Sequence, residues 1–312
     1  MVRQRTDGNP DALLGGIEAG GTKFICLIGR APDDIVAEIR IPTRKPDETI
    51  ADAIAFFKAE REVHGPLARL GIASFGPLDL AVTSPTYGHI TTTTKPGWAQ
   101  TDMVGSIGSA LDVPIAFDTD VNGAVLAERR WGAARNVKDF VYVTVGTGIG
   151  GGVMIADALV HGALHPEIGH MFVPHDRAKD PFPGLCPFHR DCLEGLASGP
   201  AVAARLDGSA RDAPADHPVW GLVAEYLALM CLNLTMTLSP ERIILGGGLM
   251  QQDHLFPMIR RRFTQRLNNY IRISAVREGL DEYIVPAGLG SRSGAYGALA
   301  LASQAIDGGL ST

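Results

Sequence analysis

Cysteine, positive charge and long apolar runs are all scarce in this chain of 312 residues. Its four cysteines are scattered, which favours a reducing compartment over an oxidising one. Lys and Arg number 28 against 34 Asp and Glu, for a net charge of -6, and this balance argues against a general nucleic-acid or anionic-membrane surface. We recognise no apolar stretch of transmembrane length and no secretion-type segment, so the sequence predicts a cytoplasmic protein that does not contact a membrane.

Glycine, by contrast, is abundant, and many of the 37 glycines lie in turns between apolar strands. GGTK at residues 20–23 and GTGIGGG at 146–152 each place a threonine in such a turn, where backbone N–H groups can approach an anion closely. Neither turn has the spacing of a Walker loop or of a dinucleotide fingerprint. Because the pattern occurs twice, we predict a duplicated lobe whose two hairpins face a nucleoside triphosphate across a shared cleft. A third glycine turn, at 246–248, is predicted to bind a base, ribose or phosphate.

Two acids follow a predicted buried strand in the segment VPIAFDTDVNGA. The strand delivers Asp118 and Asp120 at its carboxyl end, which is where α/β sheets place ligand sites. Two acids two residues apart point the same way if the strand stays regular. Alternatively, one or both of them, or Asn122, caps the helix that begins near Val121.

The segment at 167–199 has the composition of a metal-binding loop. Three residues with two-residue gaps can wrap one ion, namely Cys186, His189 and Cys192. An upstream histidine, His170 or His175, can complete a closed tetrahedron of zinc ligands. A closed site leaves no position for a substrate, so we interpret this zinc as a structural brace. The alternative is a loop with reduced, unliganded cysteines.

Eight motifs in order carry a resemblance that covers nearly the whole chain: GIEAGGTK, FGPLD, KPGW, FDTDVNGA, TVGTGIGGG, HPEIGH, CPFHRDCLEGLASGPA and ILGGG. The chain resembles the ROK family of bacterial sugar kinases and, within it, the zinc-containing fructokinases. The resemblance implies a duplicated, ribonuclease-H-like (actin-like ATPase) α/β fold with two lobes, an inter-lobe cleft and an inserted zinc loop. We expect residues 1–120 to form the first lobe, closed by a C-terminal helix at about 292–312. Residues 121–291 should form the second lobe, with the zinc loop at 167–199.

The resemblance also implies roles for individual residues. Asp120 takes the place of the catalytic base. The zinc ligands are matched by His170, Cys186, His189 and Cys192. The expected sugar contacts are Glu167, His170, Glu194, Thr119 and Pro77. The expected contacts to the nucleotide are Gly21, Thr22, Lys23, Thr147, Gly148, Pro200, Gly246, Gly247 and Gly248.

The implied reaction is ATP-dependent phosphorylation of a hexose, with Mg²⁺ and Zn²⁺ as metals and a homodimer as the expected assembly. Thr119 stands where the family's glucokinases have Asn, which favours a ketohexose, D-fructose converted to fructose 6-phosphate, over glucose. Glucose, mannose and N-acetylhexosamines are the alternative acceptors. Glu18 either holds Mg²⁺ through water or is a surface acid at a strand end. A non-catalytic sugar sensor needs a DNA- or partner-binding extension, and the short segment before the first strand argues against one. A zinc hydrolase needs an open coordination site, against which four protein ligands argue.

Overall fold

The structure, a computed structural model, describes residues 12–206, 208–210 and 213–304. It divides into two compact units. Within the described residues, the N-terminal unit comprises 12–131, 161–165 and 292–304, and the C-terminal unit comprises the remainder of 132–291. Two features differ from the expected boundaries: the first unit extends past residue 120 to Trp131, and it includes the short segment 161–165.

The described elements follow the order expected of an α/β chain. The strands are β1 (Leu13–Ala19), β2 (Lys23–Ala31), β3 (Asp34–Pro42), β4 (Leu67–Ser74), β5 (His89–Ile90), β6 (Thr101–Asp102), β7 (Ile115–Thr119), β8 (Phe140–Val145), β9 (Ile149–Ile155), β10 (Ala158–Leu159), β11 (Arg242–Gly246) and β12 (Ile284–Pro286). The helices are α1 (Pro46–His64), α2 (Met103–Leu111), α3 (Asp120–Trp131), α4 (Leu193–Ala197), α5 (Gly199–Leu206), α6 (Val219–Leu238), α7 (Leu255–Leu267), α8 (Ser274–Arg277), α9 (Leu280–Tyr283) and α10 (Ser293–Gln304).

Each unit contains a five-stranded sheet, and the two sheets have the same plan. The strand orders are β3-β2-β1-β4-β7 and β10-β9-β8-β11-β12. In both sheets the central strand pairs antiparallel with the next strand in the chain and parallel with the strand on its other side. This repeat confirms the predicted duplicated α/β fold, and it places each predicted glycine hairpin at the end of a central strand.

The N-terminal sheet is covered on both faces. Along β1, Leu13 and Ile17 join a core with α1 and α2, whereas Leu14 joins a second core with α10. This is the two-residue period of a strand buried on both sides. Helix α3 belongs to this unit because it packs closely along α10: a Cβ added to Gly297 would lie 2.4 Å from the carbonyl carbon of Gly123. The boundary at residue 120 is therefore wrong, since it would separate α3 from its packing partner.

The C-terminal unit is organised around helix α6, which packs on α7 and on the sheet. By length and composition alone this helix could cross a membrane, so the expectation that no stretch of transmembrane length exists is wrong. However, 67% of its apolar window is buried inside the protein, which is the pattern of a core helix.

Ser198 and Trp98 shape two local segments. Helices α4 and α5 are separate because Ser198, between them, adopts an extended backbone (φ −70°, ψ 164°). Trp98, in the polar loop after β4, is fully buried; its indole Nε1 donates to the Arg44 carbonyl at 2.9 Å, and its ring contacts Phe24 and Phe75. Trp98 therefore anchors the loop by packing.

Candidate active site and metal cluster

Three parallel strands of the N-terminal unit, β1, β4 and β7, end at the same edge of the sheet. The exposed turn Gly21-Thr22 follows β1, Pro77 follows β4, and Asp120 follows β7. The N–H of Gly20 donates to the Lys23 carbonyl at 3.0 Å and closes the turn. The carboxyl edge of this sheet thus brings together the N-terminal residues that the sequence singled out, as expected for an α/β ligand site.

Asp120 is the first residue of α3 and is partly buried. Burial raises the pKa of its carboxyl to about 6, although the N–H of Val121, which donates to Oδ1 at 2.9 Å, partly offsets that rise. A carboxyl group with this pKa is largely ionised at neutral pH and takes up a proton readily. These are the properties of a general base.

Glu18, near the end of β1, forms a second acidic group at this edge. Its pKa is raised to about 7, first by burial and then by the nearby Asp120 carboxylate, and Lys23 acts in the opposite direction. Its buried Oε2 atom has no hydrogen-bond partner within the described residues. A Cβ on Gly294 would lie 2.2 Å from Oε1, so a larger residue at this position would displace the carboxylate. Two neighbouring carboxylates, one with a buried oxygen that has no hydrogen-bond partner, form a suitable donor set for a hard divalent cation.

Asp118 differs from Asp120 in both exposure and partners. It is 5% exposed, and it accepts hydrogen bonds from the Thr119 N–H (2.7 Å) and from Asn122 Nδ2 (2.7 Å). Its other oxygen lies 2.9 Å from His161 Nε2. The cap of α3 is the Thr119 hydroxyl, which accepts from the Asn122 N–H at 3.1 Å. Thr119 therefore caps the helix, and Asp118 is the buried acceptor whose hydrogen bonds hold the turn that contains Asp120.

Thr119 itself is 3% exposed. Its hydroxyl accepts a hydrogen bond as the cap of α3 and keeps its own proton to donate, so the contact of Thr119 with sugar stays a prediction. The side chain shapes the site through the helix it caps.

Sequence reasoning missed the segment 161–165 (HGALH). His161 contacts both Asp118 Oδ2 and Asn122 Nδ2, at 2.9 and 3.2 Å. His165 is 6% exposed, and its Nε2 accepts from the Leu78 N–H at 3.1 Å, beside Pro77. These histidines fix the turns after β4 and β7. The sequence signal that could have identified this segment is a pair of histidines four residues apart, directly before the motif PEIGH.

A corresponding edge in the C-terminal unit gathers the remaining glycine turns. The turn at 146–148 lies between β8 and β9, and the turn at 246–248 follows β11, the parallel neighbour of β8. Gly247 has φ +89°, and a Cβ there would lie 2.5 Å from the Val145 carbonyl oxygen, so this close approach requires glycine. The Gly199 N–H donates to the Gly146 carbonyl at 2.7 Å, which brings the exposed Pro200 beside the same turn. Thr147, Gly148, Pro200 and residues 246–248 thus form one group.

The predicted cysteine and histidine ligands also converge. One ligand atom from each of His170, Cys186, His189 and Cys192 lies within 4.8 Å of the others. Cys186 Sγ is 3.7 Å from Nδ1 of both His170 and His189, and Cys192 Sγ is 3.6 Å from His170 Nδ1. Tetrahedral zinc with ordinary Zn–S and Zn–N lengths separates sulfur from nitrogen by about 3.6 Å.

The backbone shapes this cluster. Reciprocal hydrogen bonds between Cys186 and Arg190 close a tight turn, and a Cβ on Gly195 would lie 1.8 Å from the Arg190 carbonyl oxygen. His175, the alternative fourth ligand, lies outside the cluster. Its Nδ1 is 3.1 Å from Asp191 Oδ2 and its Nε2 is 2.9 Å from the Asp180 carbonyl oxygen. The structure therefore selects His170 over His175 as the fourth member.

Glu167 lies three residues before His170 of the cluster, and Glu194 lies two residues after Cys192. Glu167 precedes the 3₁₀ turn Ile168–His170 and is half-buried, and Glu194 lies in the first turn of α4. Glu194 Oε2 accepts a hydrogen bond from the Ile149 N–H at 2.9 Å, at the end of the glycine turn. One of the two acids expected to bind sugar thus also holds the backbone of the C-terminal hairpin.

Two units of the same strand order, each with a glycine hairpin at the end of its central strand, make this chain a member of the actin-like ATPase fold class. A ROK glucokinase from Streptomyces griseus, solved in complex with glucose and AMPPNP, has this fold. Its TM-score is 0.74 at 24% identity, over 94% of this chain and 100% of that one.

More specifically, the chain belongs to the ROK family, whose model matches residues 14–305. It is 44% identical to a fructokinase of Pediococcus pentosaceus over 294 residues, which cover 94% of this chain and 99% of that protein. It is also 43% identical to a fructokinase of Zymomonas mobilis over 303 residues, which cover 95% and 98% of the two chains.

Proposed function

We propose that this chain is an ATP-dependent fructokinase that transfers the γ-phosphoryl group of ATP to D-fructose and forms fructose 6-phosphate. The observation that carries this proposal is the identity of 40–44% to fructokinases over most of the chain. Relatives described as glucokinases are more distant; that of Halalkalibacterium halodurans is 27% identical. Fructose is therefore favoured over glucose, mannose or an N-acetylhexosamine.

Asp120 is the proposed general base. Its carboxylate accepts the proton of the sugar hydroxyl as that oxygen attacks the γ-phosphorus, and the bond to the β,γ-bridging oxygen breaks. Three properties of Asp120 support this role: its raised pKa, its position at the start of α3, and the hydrogen bonds by which Asp118 holds the preceding turn. A general base must be ionised, correctly oriented and able to take up a proton.

Glu18 is the residue proposed to hold Mg²⁺ through water, beside Asp120. Two observations support this assignment: the buried Glu18 Oε2 atom has no hydrogen-bond partner within the described residues, and the neighbouring Asp120 carboxylate raises the pKa of Glu18. When bound, Mg²⁺ supplies charge neutralisation for the phosphates.

Contacts to the substrates are assigned by unit. We propose that Gly21, Thr22 and Lys23 of the N-terminal unit contact ATP. In the C-terminal unit the proposed ATP contacts are Thr147, Gly148, Pro200, Gly246, Gly247 and Gly248. The proposed sugar contacts are Pro77, Glu167, His170 and Glu194. Thr119 is proposed as a further sugar contact, because its hydroxyl accepts from the Asn122 N–H and keeps its own proton to donate.

We further propose that His170, Cys186, His189 and Cys192 hold a structural Zn²⁺. The donor set is two thiols and two imidazoles at separations that suit a tetrahedral ion. All four positions around such an ion are filled by protein, so the metal acts by fixing the loop. A cytoplasmic location and a homodimer remain predictions.

A sugar panel tests the proposal. Purified protein is assayed for ADP release with ATP, Mg²⁺ and, in turn, fructose, glucose, mannose, N-acetylglucosamine and N-acetylmannosamine. We expect the highest kcat/KM with fructose. A higher value with another hexose would correct the acceptor, and sugar binding without any ADP release would replace the kinase with a sugar sensor.

A further inference from the structure

One residue of the C-terminal unit, Ile149, is held on both sides of its peptide backbone. Its N–H donates to Glu194 Oε2 at 2.9 Å. Its carbonyl oxygen lies against Gly169, where an added Cβ would be only 1.8 Å away. Ile149 directly follows the turn at 146–148, so these contacts fix the position of the proposed phosphate turn.

Both contacts come from segments that carry ligands of the metal cluster. Gly169 directly precedes His170, and Glu194 lies two residues after Cys192. The two segments are also joined to each other, because the Leu193 N–H donates to the Met171 carbonyl at 2.9 Å. Any ion that fixes His170 and Cys192 therefore also fixes both groups that hold Ile149.

The hairpin does not need Glu194 in order to form. Val145 pairs with Ile149 in the antiparallel ladder, and the Gly146 N–H donates to the Gly148 carbonyl at 2.9 Å. The Glu194 carboxylate is an added acceptor at the base of the turn, and a charged acceptor makes a strong hydrogen bond. The Glu194 carboxylate therefore orients the turn.

We propose that Glu194 is a positioning residue for the nucleotide: it orients the turn at 146–148 toward a phosphate and transmits the geometry of the Cys/His cluster to the ATP site. This inference rests on the proposed function, in which that turn contacts ATP and Glu194 also binds sugar. One carboxylate oxygen then serves the turn, and the other remains for a sugar hydroxyl. The cluster thus helps to position groups that are proposed to contact both substrates.

The test is nucleotide affinity in the absence of sugar, measured by calorimetry with a non-hydrolysable ATP analogue and Mg²⁺. Glu194→Ala removes the acceptor, and we expect affinity to fall about tenfold. Glu194→Gln keeps an amide oxygen that accepts from Ile149, so it should bind within about threefold of the parent. Asp216→Ala, an exposed acid of the same unit, is the matched control and should not change binding.

Gly148 offers an independent approach to the same contact. A Cβ there would lie 2.6 Å from Glu194 Oε2, so Gly148→Ala should displace the carboxylate and weaken nucleotide binding. In the Glu194→Ala background the added methyl has no carboxylate to displace, so it should weaken nucleotide binding less than it does in the parent. Thermal unfolding of each variant verifies that it is folded. Additive effects of the two substitutions would overturn the inference.

The outcomes also separate this inference from the proposed function. If the parent protein binds no ATP analogue, the proposed function fails. If the parent binds it and Glu194→Ala binds equally well, only the role of Glu194 is refuted. Removal of the zinc gives a further readout, because it should weaken analogue binding more in the parent than in Glu194→Ala, which has already lost one of the two contacts to Ile149.

Discussion

Replacing Asp118 tests how the candidate base is held in place. Asp118 is 5% exposed and accepts from two donors of its own turn, the Thr119 N–H and Asn122 Nδ2, and it contacts His161. Asp118→Ala leaves both donors without this acceptor. Each buried, unpaired donor costs about 1–3 kcal/mol, and partial access of water near His161 lowers the sum to about 2–4 kcal/mol. Because Asp120 follows two residues later, a shift of its carboxylate by about 1 Å would lower kcat about 100-fold.

The assay has two parts. Urea unfolding gives the free energy of unfolding, and kcat is then measured at saturating ATP and fructose, well below the unfolding temperature of the variant. Asp118→Asn keeps one acceptor oxygen and should fall between the parent and the alanine variant on both measures. Asp33→Asn, an exposed acid of the same unit, is the control. If Asp118→Ala has the urea midpoint of the parent and a kcat within twofold of it, Asp118 does not support Asp120.

Three further predictions concern charge, backbone contact and metal. The raised pKa of Glu18 means that the folded protein binds its proton more tightly than the unfolded chain, so stability falls as pH rises from about 4.5 to about 7. Glu18→Gln removes the charge that the folded protein disfavours, so in EDTA it should add at most about 3 kcal/mol to the free energy of unfolding at pH 8. At pH 4.5 it should add little, because Glu18 is already protonated in the folded protein. An equal gain at both pH values would refute this prediction. Gly169→Ala should cost about 3 kcal/mol or more, because its Cβ would lie 1.8 Å from the Ile149 carbonyl oxygen. Gly162→Ala should cost less than about 0.5 kcal/mol, because the nearest atom to its Cβ is the Leu164 carbonyl oxygen at 3.8 Å, an ordinary van der Waals distance. Equal urea midpoints for the two variants would contradict the contact. Elemental analysis should find about one zinc per chain in the parent and less in Cys186→Ser, which should also unfold at a lower temperature; a parent free of zinc excludes the brace.

The parts of the fold that could be predicted from the sequence are local in the chain. Each glycine hairpin lies between two apolar runs, and its repetition predicted the duplicated sheet plan. The cluster ligands Cys186, His189 and Cys192 are spaced closely enough for one loop to bring them together, so residue type and spacing sufficed. Asp120 could be placed because strand ends and helix starts have clear signals.

The contacts that could not be predicted join residues that are distant in sequence. His161 contacts Asp118 across 43 positions, and Glu194 contacts Ile149 across 45. Neither contact follows from a periodic pattern, because each depends on how separate elements pack. The cap of α3 is of a related kind: from sequence, a threonine before a helix can cap it or face a ligand, and the structure shows that the Thr119 hydroxyl accepts from the Asn122 N–H.

The proposed reaction depends on Asp120 accepting the proton of the sugar hydroxyl during phosphoryl transfer. The most direct test is to measure kcat of Asp120→Asn, with fructose affinity determined on the same preparation by calorimetry. Loss of the base should lower kcat at least about 1,000-fold and leave fructose affinity within about threefold of the parent. A variant that turns over within tenfold of the parent would contradict it.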